Sequence, residues 1–235
     1  NAVAVLALGL DDTFGVANDP ADPLAGYRRC RSALIPPNTL HHVTDTVGLM
    51  GFLYVDACSR DFGRLESLVR DKTARAGFDL TVEEDVIALL RDLASGARSW
   101  PDVKAELDRR LGGTSGSAVD PRVRLALDTL HANISRRPSL QALADRVGLS
   151  ESRLRRLFKA ATGVPLRRYR IWIAMGAAMR AIARGRTLTV AAMDAGFSSS
   201  AHFSAAYREM FGMEPSRLVK GRLTALRERQ GEVTT

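Results

Sequence analysis

Apolar residues recur along this chain with two different periods, and the change between them divides it. Up to about residue 60 they come in short runs closed by turn residues. Residues 2–10 form one run, ended by Asp11-Asp12. Residues 13–17, 27–35 and 47–57 follow, and Pro36-Pro37-Asn38 marks a turn before the last of them. Strands this short, spaced by turns, predict a small antiparallel β-barrel or sandwich. From Asp61 the spacing turns helical. Phe62, Leu65, Leu68 and Val69 share one face, and Thr81 with Glu84 reads as a capping box ahead of Val86, Ile87, Leu90 and Leu93. Pro101 opens a third helix striped by Val103, Leu107 and Leu111. Leu65, Leu68, Leu90 and Leu93 either meet a twin chain or pack inside their own domain.

Residues 112–119 interrupt the pattern. Gly112-Gly113-Thr114-Ser115-Gly116-Ser117 has the composition of a flexible linker, and Asp120-Pro121 places an N-cap residue before a proline at the first helical position. Everything beyond reads as helix. Val123, Leu127, Leu130 and Ile134 form one stripe. Ser139 caps a short helix with Leu140, Leu143, Ala144 and Val147, and Gly148 stops it. Ser150 caps the next, which buries Leu154, Leu157, Phe158 and Ala161 and ends at Gly163 and Pro165. A long apolar helix carries Leu166, Tyr169, Trp172, Ile173, Ala177 and Met179.

That pattern then returns. Leu188, Ala192 and Gly196 repeat Leu140, Ala144 and Gly148 at an offset of 48, and Phe203, Tyr207, Arg208 and Gly212 repeat Leu154, Phe158, Lys159 and Gly163 at an offset of 49. Each copy is a short helix, a glycine turn and a second capped helix. This is the helix-turn-helix layout, whose second helix can enter a DNA major groove.

Charge follows the same division. The 235 residues carry a net +8, but residues 118–235 hold 21 Lys/Arg against 9 Asp/Glu while residues 1–117 hold 13 against 17. A basic half joined to an acidic one suggests a polyanion-binding domain beside a domain with another task. The composition, 46% hydrophobic and 26% charged, is that of a globular protein. No apolar run reaches the ~18 residues of a membrane span, so no membrane partner is expected. Two cysteines, Cys30 and Cys58, are too few for a disulfide scaffold and fit a reduced, cytoplasmic setting. The first residue is Asn1, which suggests that a short leader is missing from the sequence.

The repeat also carries a specific resemblance. Ser150-Glu151-Ser152-Arg153-Leu154-Arg155-Arg156-Leu157-Phe158-Lys159, then Gly163-Val164-Pro165 and Tyr169, resembles the first half of the AraC/XylS family signature. Ala192, Gly196-Phe197-Ser198, His202-Phe203-Ser204, Tyr207-Arg208, Phe211-Gly212 and Pro215-Ser216 resemble the second. The resemblance implies sequence-specific binding of double-stranded DNA by two helix-turn-helix units joined by a long helix, with RNA polymerase as a further partner. Family members usually carry an arginine five residues after the tyrosine; here that position is Ala174. Gly176 sits mid-helix nearby, a weakening of about 1 kcal/mol relative to alanine.

With Leu154 at the centre of a buried face, 100° per residue puts Ser152, Arg155, Arg156 and Lys159 on the other side. Arginine suits base readout because its fork can donate to guanine O6 and N7 together. Arg155, Arg156 and Ser152 match family positions that commonly face bases, whereas Arg153 and Lys159 suit phosphate. In the second unit, burial of Phe203 turns Ala201, Ala205 and Arg208 outward, with Ser200 and His202 at the edges. Ser150 and Ser198 complete the candidate DNA contacts. The first unit is expected to carry most of the readout, because alanine can touch a thymine methyl but reads little else.

Residues 33–43, from Ala33 to the pair His41-His42, locally resemble a strand and turn of a cupin-like module. The expected class is therefore α+β: a cupin-like β-module with trailing helices over 1–111 for effector binding or dimerisation, a linker over 112–119, an all-α AraC-type domain over 120–220 and a basic tail over 221–235. A small-molecule effector and a homodimer through the N-terminal half remain open. No cofactor and no catalytic residue is expected. Adjacent strand residues face opposite ways, so His41 and His42 are poor joint ligands for a metal. A nonspecific DNA-coating protein and a metal-dependent cupin enzyme are the alternatives.

Overall fold

The computed structural model describes residues 2–44, 48–56, 58, 60–111, 119–134, 138–212 and 214–215. They cluster into two units, one comprising Asn1–Arg124 with Ser152–Leu166, the other Leu125–Glu151 with the segment from Arg167 onward. Most of the expected linker and all of the expected tail lie outside the described residues.

In the first unit the apolar runs become strands: β1 (Ala4–Gly9), β2 (Phe14–Ala17), β3 (Tyr27–Cys30), β4 (Ser32–Ile35) and β5 (Met50–Val55). Two further strands, β6 (Val69–Lys72) and β7 (Gly77–Leu80), follow the helix α1 (Arg60–Leu68). Five strands form an antiparallel sheet in the order β5-β1-β4-β7-β6, and β2 pairs with β3 in a separate ribbon. The single run expected over 27–35 is thus two strands in two different sheets.

All six residues of β1 are buried because both faces of its sheet are covered. Ala4, Leu6 and Leu8 point into a core with Leu65 and Leu68 of α1, Val86, Ile87 and Leu90 of α2 (Glu83–Ser95), and Val103, Leu107 and Leu111 of α3 (Trp100–Leu111). Ala7 joins the opposite cluster, with Phe14, Val16, Cys30, Ala33, Ile35, Ala76 and Phe78, beneath the β2–β3 ribbon. Gly51 is needed for the first core: a Cβ there would lie 2.7 Å from Leu90 Cδ1.

Two expectations are corrected here, and one alternative is decided. Val69 belongs to strand β6, not to the stripe of α1. Thr81 does not cap α2: its N–H donates to the Leu68 carbonyl at 2.8 Å, so Thr81 extends the sheet ladder and Val82 becomes the N-cap without a side-chain bond. Leu65, Leu68 and Leu90 are core residues and half-buried Leu93 packs against them, so of the two alternatives these leucines pack inside their own domain.

The remaining helices are α4 (Pro121–Ala132), α5 (Leu140–Arg146), α6 (Glu151–Thr162), α7 (Leu166–Ala183), α8 (Leu188–Asp194) and α9 (Ser200–Phe211). Asp120 caps α4 by accepting from Arg122 N at 2.9 Å, and the Arg122 guanidinium beside it holds its carboxyl down to about 2. In the second unit α7, α8 and α9 share a core of Ala174, Met175, Ala178, Ala192, Ala195, Phe197, Phe203, Ala206 and Tyr207. Ala174, where members of the resembled family usually carry arginine, is 1% exposed in this core.

Candidate nucleic-acid interface

The two copies of the repeat fold alike at each local step. Ser139 Oγ accepts from Ala142 N at the start of α5, and Thr187 Oγ1 accepts from Val190 N at the start of α8. Each helix spans 7 residues and is followed by a glycine at positive φ, Gly148 at +66° and Gly196 at +83°. The second helices, α6 and α9, are each 12 residues long and end at Gly163 (φ +76°) and Gly212 (φ +70°).

On α6, Leu154 and Phe158 are wholly buried, whereas Ser152, Arg153, Arg155, Arg156 and Lys159 are all exposed. The helix therefore turns three arginines and a lysine to solvent along the side opposite its apolar stripe. Ser150, just before it, is also exposed.

On α9, Phe203 and Tyr207 are buried while Ala201, His202, Ala205 and Arg208 are exposed and Ser200 is half-buried. This face is more committed internally. Ser198 Oγ lies 3.0 Å from His202 Nδ1, and the His202 ring stands edge-on to Phe197 at 5.3 Å. Ser199 Oγ accepts from His202 N at 3.0 Å, which makes Ser199 the N-cap. Arg208 donates to Glu214 at 2.8 Å, a pairing not foreseen from the sequence.

The first unit also holds a cavity of about 280 Å³ between the β2–β3 ribbon and the large sheet. Val16, Ile35, Leu40 and Phe78 supply apolar wall, and Arg28, Arg75 and His41 supply polar wall. Arg75 was missed because the β6–β7 hairpin was, and Arg28, on β3, because its partners Asp71 and Asp79 lie on that hairpin. The available signal was Thr73, whose hydroxyl accepts from Arg75 N and Ala76 N to form the turn. His41 and His42 lie in irregular backbone, not on a strand. Among the described residues no group of three His, Cys, Asp or Glu is placed to hold a metal ion. No described helix is long and apolar enough to cross a membrane.

Residues 143–221 match the family described as Helix-turn-helix domain. The uncharacterized HTH-type transcriptional regulator YidL of Escherichia coli (strain K12) is 31% identical over 100 residues, which are 42% of this chain and 34% of YidL. The chain carries a helix-turn-helix domain over residues 143–221. It spans about a third of the length of that curated relative. A transcriptional regulator from Chromobacterium violaceum, described by its AraC-type DNA-binding domain, is 28% identical with a TM-score of 0.41, over 47% of this chain and 96% of that one. ToxT from Vibrio cholerae O395 is 13% identical with a TM-score of 0.57, over 93% of this chain and 89% of ToxT. Unsaturated fatty acid bound ToxT from strain SCE256 gives 0.55 at 10% identity, over 92% and 86%. The ToxT match shows a shared α+β fold over nearly the whole chain.

Proposed function

We propose that this chain is a sequence-specific DNA-binding transcription regulator of the AraC/XylS family, not an enzyme, acting in the cytoplasm. α5–α6 and α8–α9 serve as its two helix-turn-helix units, joined by α7. The observation that carries this is the exposed side of α6, where Arg153, Arg155, Arg156 and Lys159 stand opposite buried Leu154 and Phe158. Arg155, Arg156 and Ser152 read base edges; Arg153, Lys159 and Ser150 contact backbone phosphates and sugars. Ser198, Ser200, Ala201, His202, Ala205 and Arg208 form the second, less discriminating contact.

The cupin-like N-terminal module, with the cavity below its ribbon, is the effector site. ToxT, of the same fold, holds a fatty acid in one of its structures, which supports a ligand role for this module. Exposed Phe52 and Tyr54 on edge strand β5 support a homodimer through the same module. Genomic fragments retained by the full chain at physiological salt decide the main reading when sequenced. A recurring motif establishes a regulator. Retention without sequence preference establishes a coating protein.

A further inference from the structure

We infer that the cavity of the first unit binds an uncharged molecule with an apolar body and one hydrogen-bond donor group, an aryl alcohol being the simplest case, and that it rejects carboxylates and ammonium ions of the same shape. The inference rests on the effector reading above and names the chemistry of that site.

Size comes first. A volume of about 280 Å³ lies at the lower end of the roughly 300–1,000 Å³ of small-molecule pockets, so the ligand is small. Apolar side chains of Val16, Ile35, Leu40 and Phe78 line much of the cavity, so most of the ligand's atoms are carbon.

Charge comes next. Two guanidiniums reach the wall, and both are already paired. Arg28 donates to Asp71 and, at 2.9 Å, to Asp79, and its guanidinium carbon sits 4.1 Å from the centre of the Phe78 ring. Arg75 pairs with Asp19 at 3.2 Å. Three carboxylates therefore meet two cations. An entering carboxylate would be desolvated without a cation of its own, or would have to pull a guanidinium from its partner. An ammonium fares no better, because no lining residue is acidic and the carboxylates behind the guanidiniums are already engaged by them.

The polar atoms that remain call for a donor. His41 Nδ1 lies 2.9 Å from the carbonyl oxygen of Thr39. A carbonyl only accepts, so Nδ1 carries the proton. Burial lowers the imidazole pKa and keeps the ring neutral, which makes Nε2 an acceptor. Asn18, exposed at the edge of the cavity, donates through Nδ2 to Ala25 O at 2.8 Å, which leaves its carbonyl oxygen as a second acceptor on that residue. One hydroxyl donates to one of these acceptors without introducing charge.

The test holds the shape constant and varies the charge. 2-Phenylethanol, phenylacetate and 2-phenylethylamine are titrated into the full chain by calorimetry and by ligand-observed NMR. 2-Phenylethanol is expected to bind saturably and at least tenfold more tightly than the other two. Ala76→Phe, which fills the cavity, is expected to abolish binding. Thr39→Phe fills it from the loop side, in case Ala76→Phe does not fold. His41→Leu is expected to weaken the alcohol at least fivefold. Phenylacetate or the amine binding as tightly as the alcohol overturns the ligand class and leaves the cavity as the effector site. Failure of all three to bind a cooperatively melting chain overturns both the class and the effector reading.

Discussion

The thiol of Cys58 lies 3.2 Å from the carbonyl oxygen of Ala161. Cys58 sits in the connection from β5 to α1, and Ala161 in the last turn of α6, both in the first unit. The last carbonyls of a helix lack intrahelical donors, and α6 finds its partners nearby. Lys159 O accepts from Gly163 N, Thr162 Oγ1 donates to Phe158 O, and Ala161 O takes the thiol. A thiol is a weak donor, so its removal costs less than a full hydrogen bond. Cys58→Ala is expected to lower stability by about 1 kcal/mol, from the lost bond and the lost burial together. Urea unfolding of the full chain checks this. An unchanged midpoint would mean the contact contributes nothing.

The two thiols also set an alkaline limit. Burial is the main cause that pushes Cys30 and Cys58 from 9.0 up to about 12, and burial raises Tyr207 from 10.0 to about 12. The folded state thus keeps protons that the unfolded chain releases. Stability from these groups is complete below about pH 9 and is lost as pH rises toward 12. Denaturation midpoints should fall steadily across that window, and Cys30→Ala should make the fall shallower. At pH 8 neither thiol should react with a disulfide reagent until the chain is unfolded.

Gly176 should be replaceable with profit. It lies inside α7, and a Cβ there would meet nothing nearer than Arg180 Nη1 at 3.4 Å, the mobile end of a long side chain. Gly176→Ala is therefore expected to stabilise the chain by about 0.5–1 kcal/mol through helix propensity alone. Thermal unfolding reads this directly. A loss of stability would show that the α7 backbone at this position tolerates no side chain.

Sequence reasoning succeeded wherever a local device had one physical meaning. Ser139 as a cap, Asp120 before Pro121, and glycines at 148, 163, 196 and 212 all adopt the conformations their chemistry favours. It failed where one pattern served two structures. Val69 continues the helical spacing of Leu65 and Leu68, but tertiary pairing with Leu80 takes it into a strand. Thr81 and Glu84 have capping-box spacing, yet the Thr81 N–H was already committed to the sheet. Asp79, at φ +58°, interrupts the pleat of β7, so Phe78 and Leu80 enter different clusters although they are two residues apart. Without that hairpin the cavity and its arginines were invisible. The exposed face of α6 was legible because 100° per residue follows from helix geometry alone, while the Arg208–Glu214 pair depended on how the chain continues past Gly212.

The two helices α6 and α9 should differ in what they read. Arg155 and Arg156 are exposed on α6, and each can form a bidentate contact with guanine O6 and N7. The corresponding surface of α9 offers Ala201 and Ala205, and its two strongest hydrogen-bonding groups are partly engaged, His202 by Ser198 and Arg208 by Glu214. Arg156→Ala is therefore expected to cost about 1–3 kcal/mol and to relax preference at particular base pairs. Lys159→Ala should weaken all sequences alike and reduce the salt dependence, because a phosphate carries no base identity. Ala205→Ser should change little. Binding of the full chain to a library of singly substituted sites separates these outcomes. A uniform loss across the library for Arg156→Ala would assign that arginine to the backbone. A strong sequence preference abolished by His202→Ala but untouched by Arg155→Ala or Arg156→Ala would make α9 the principal reader.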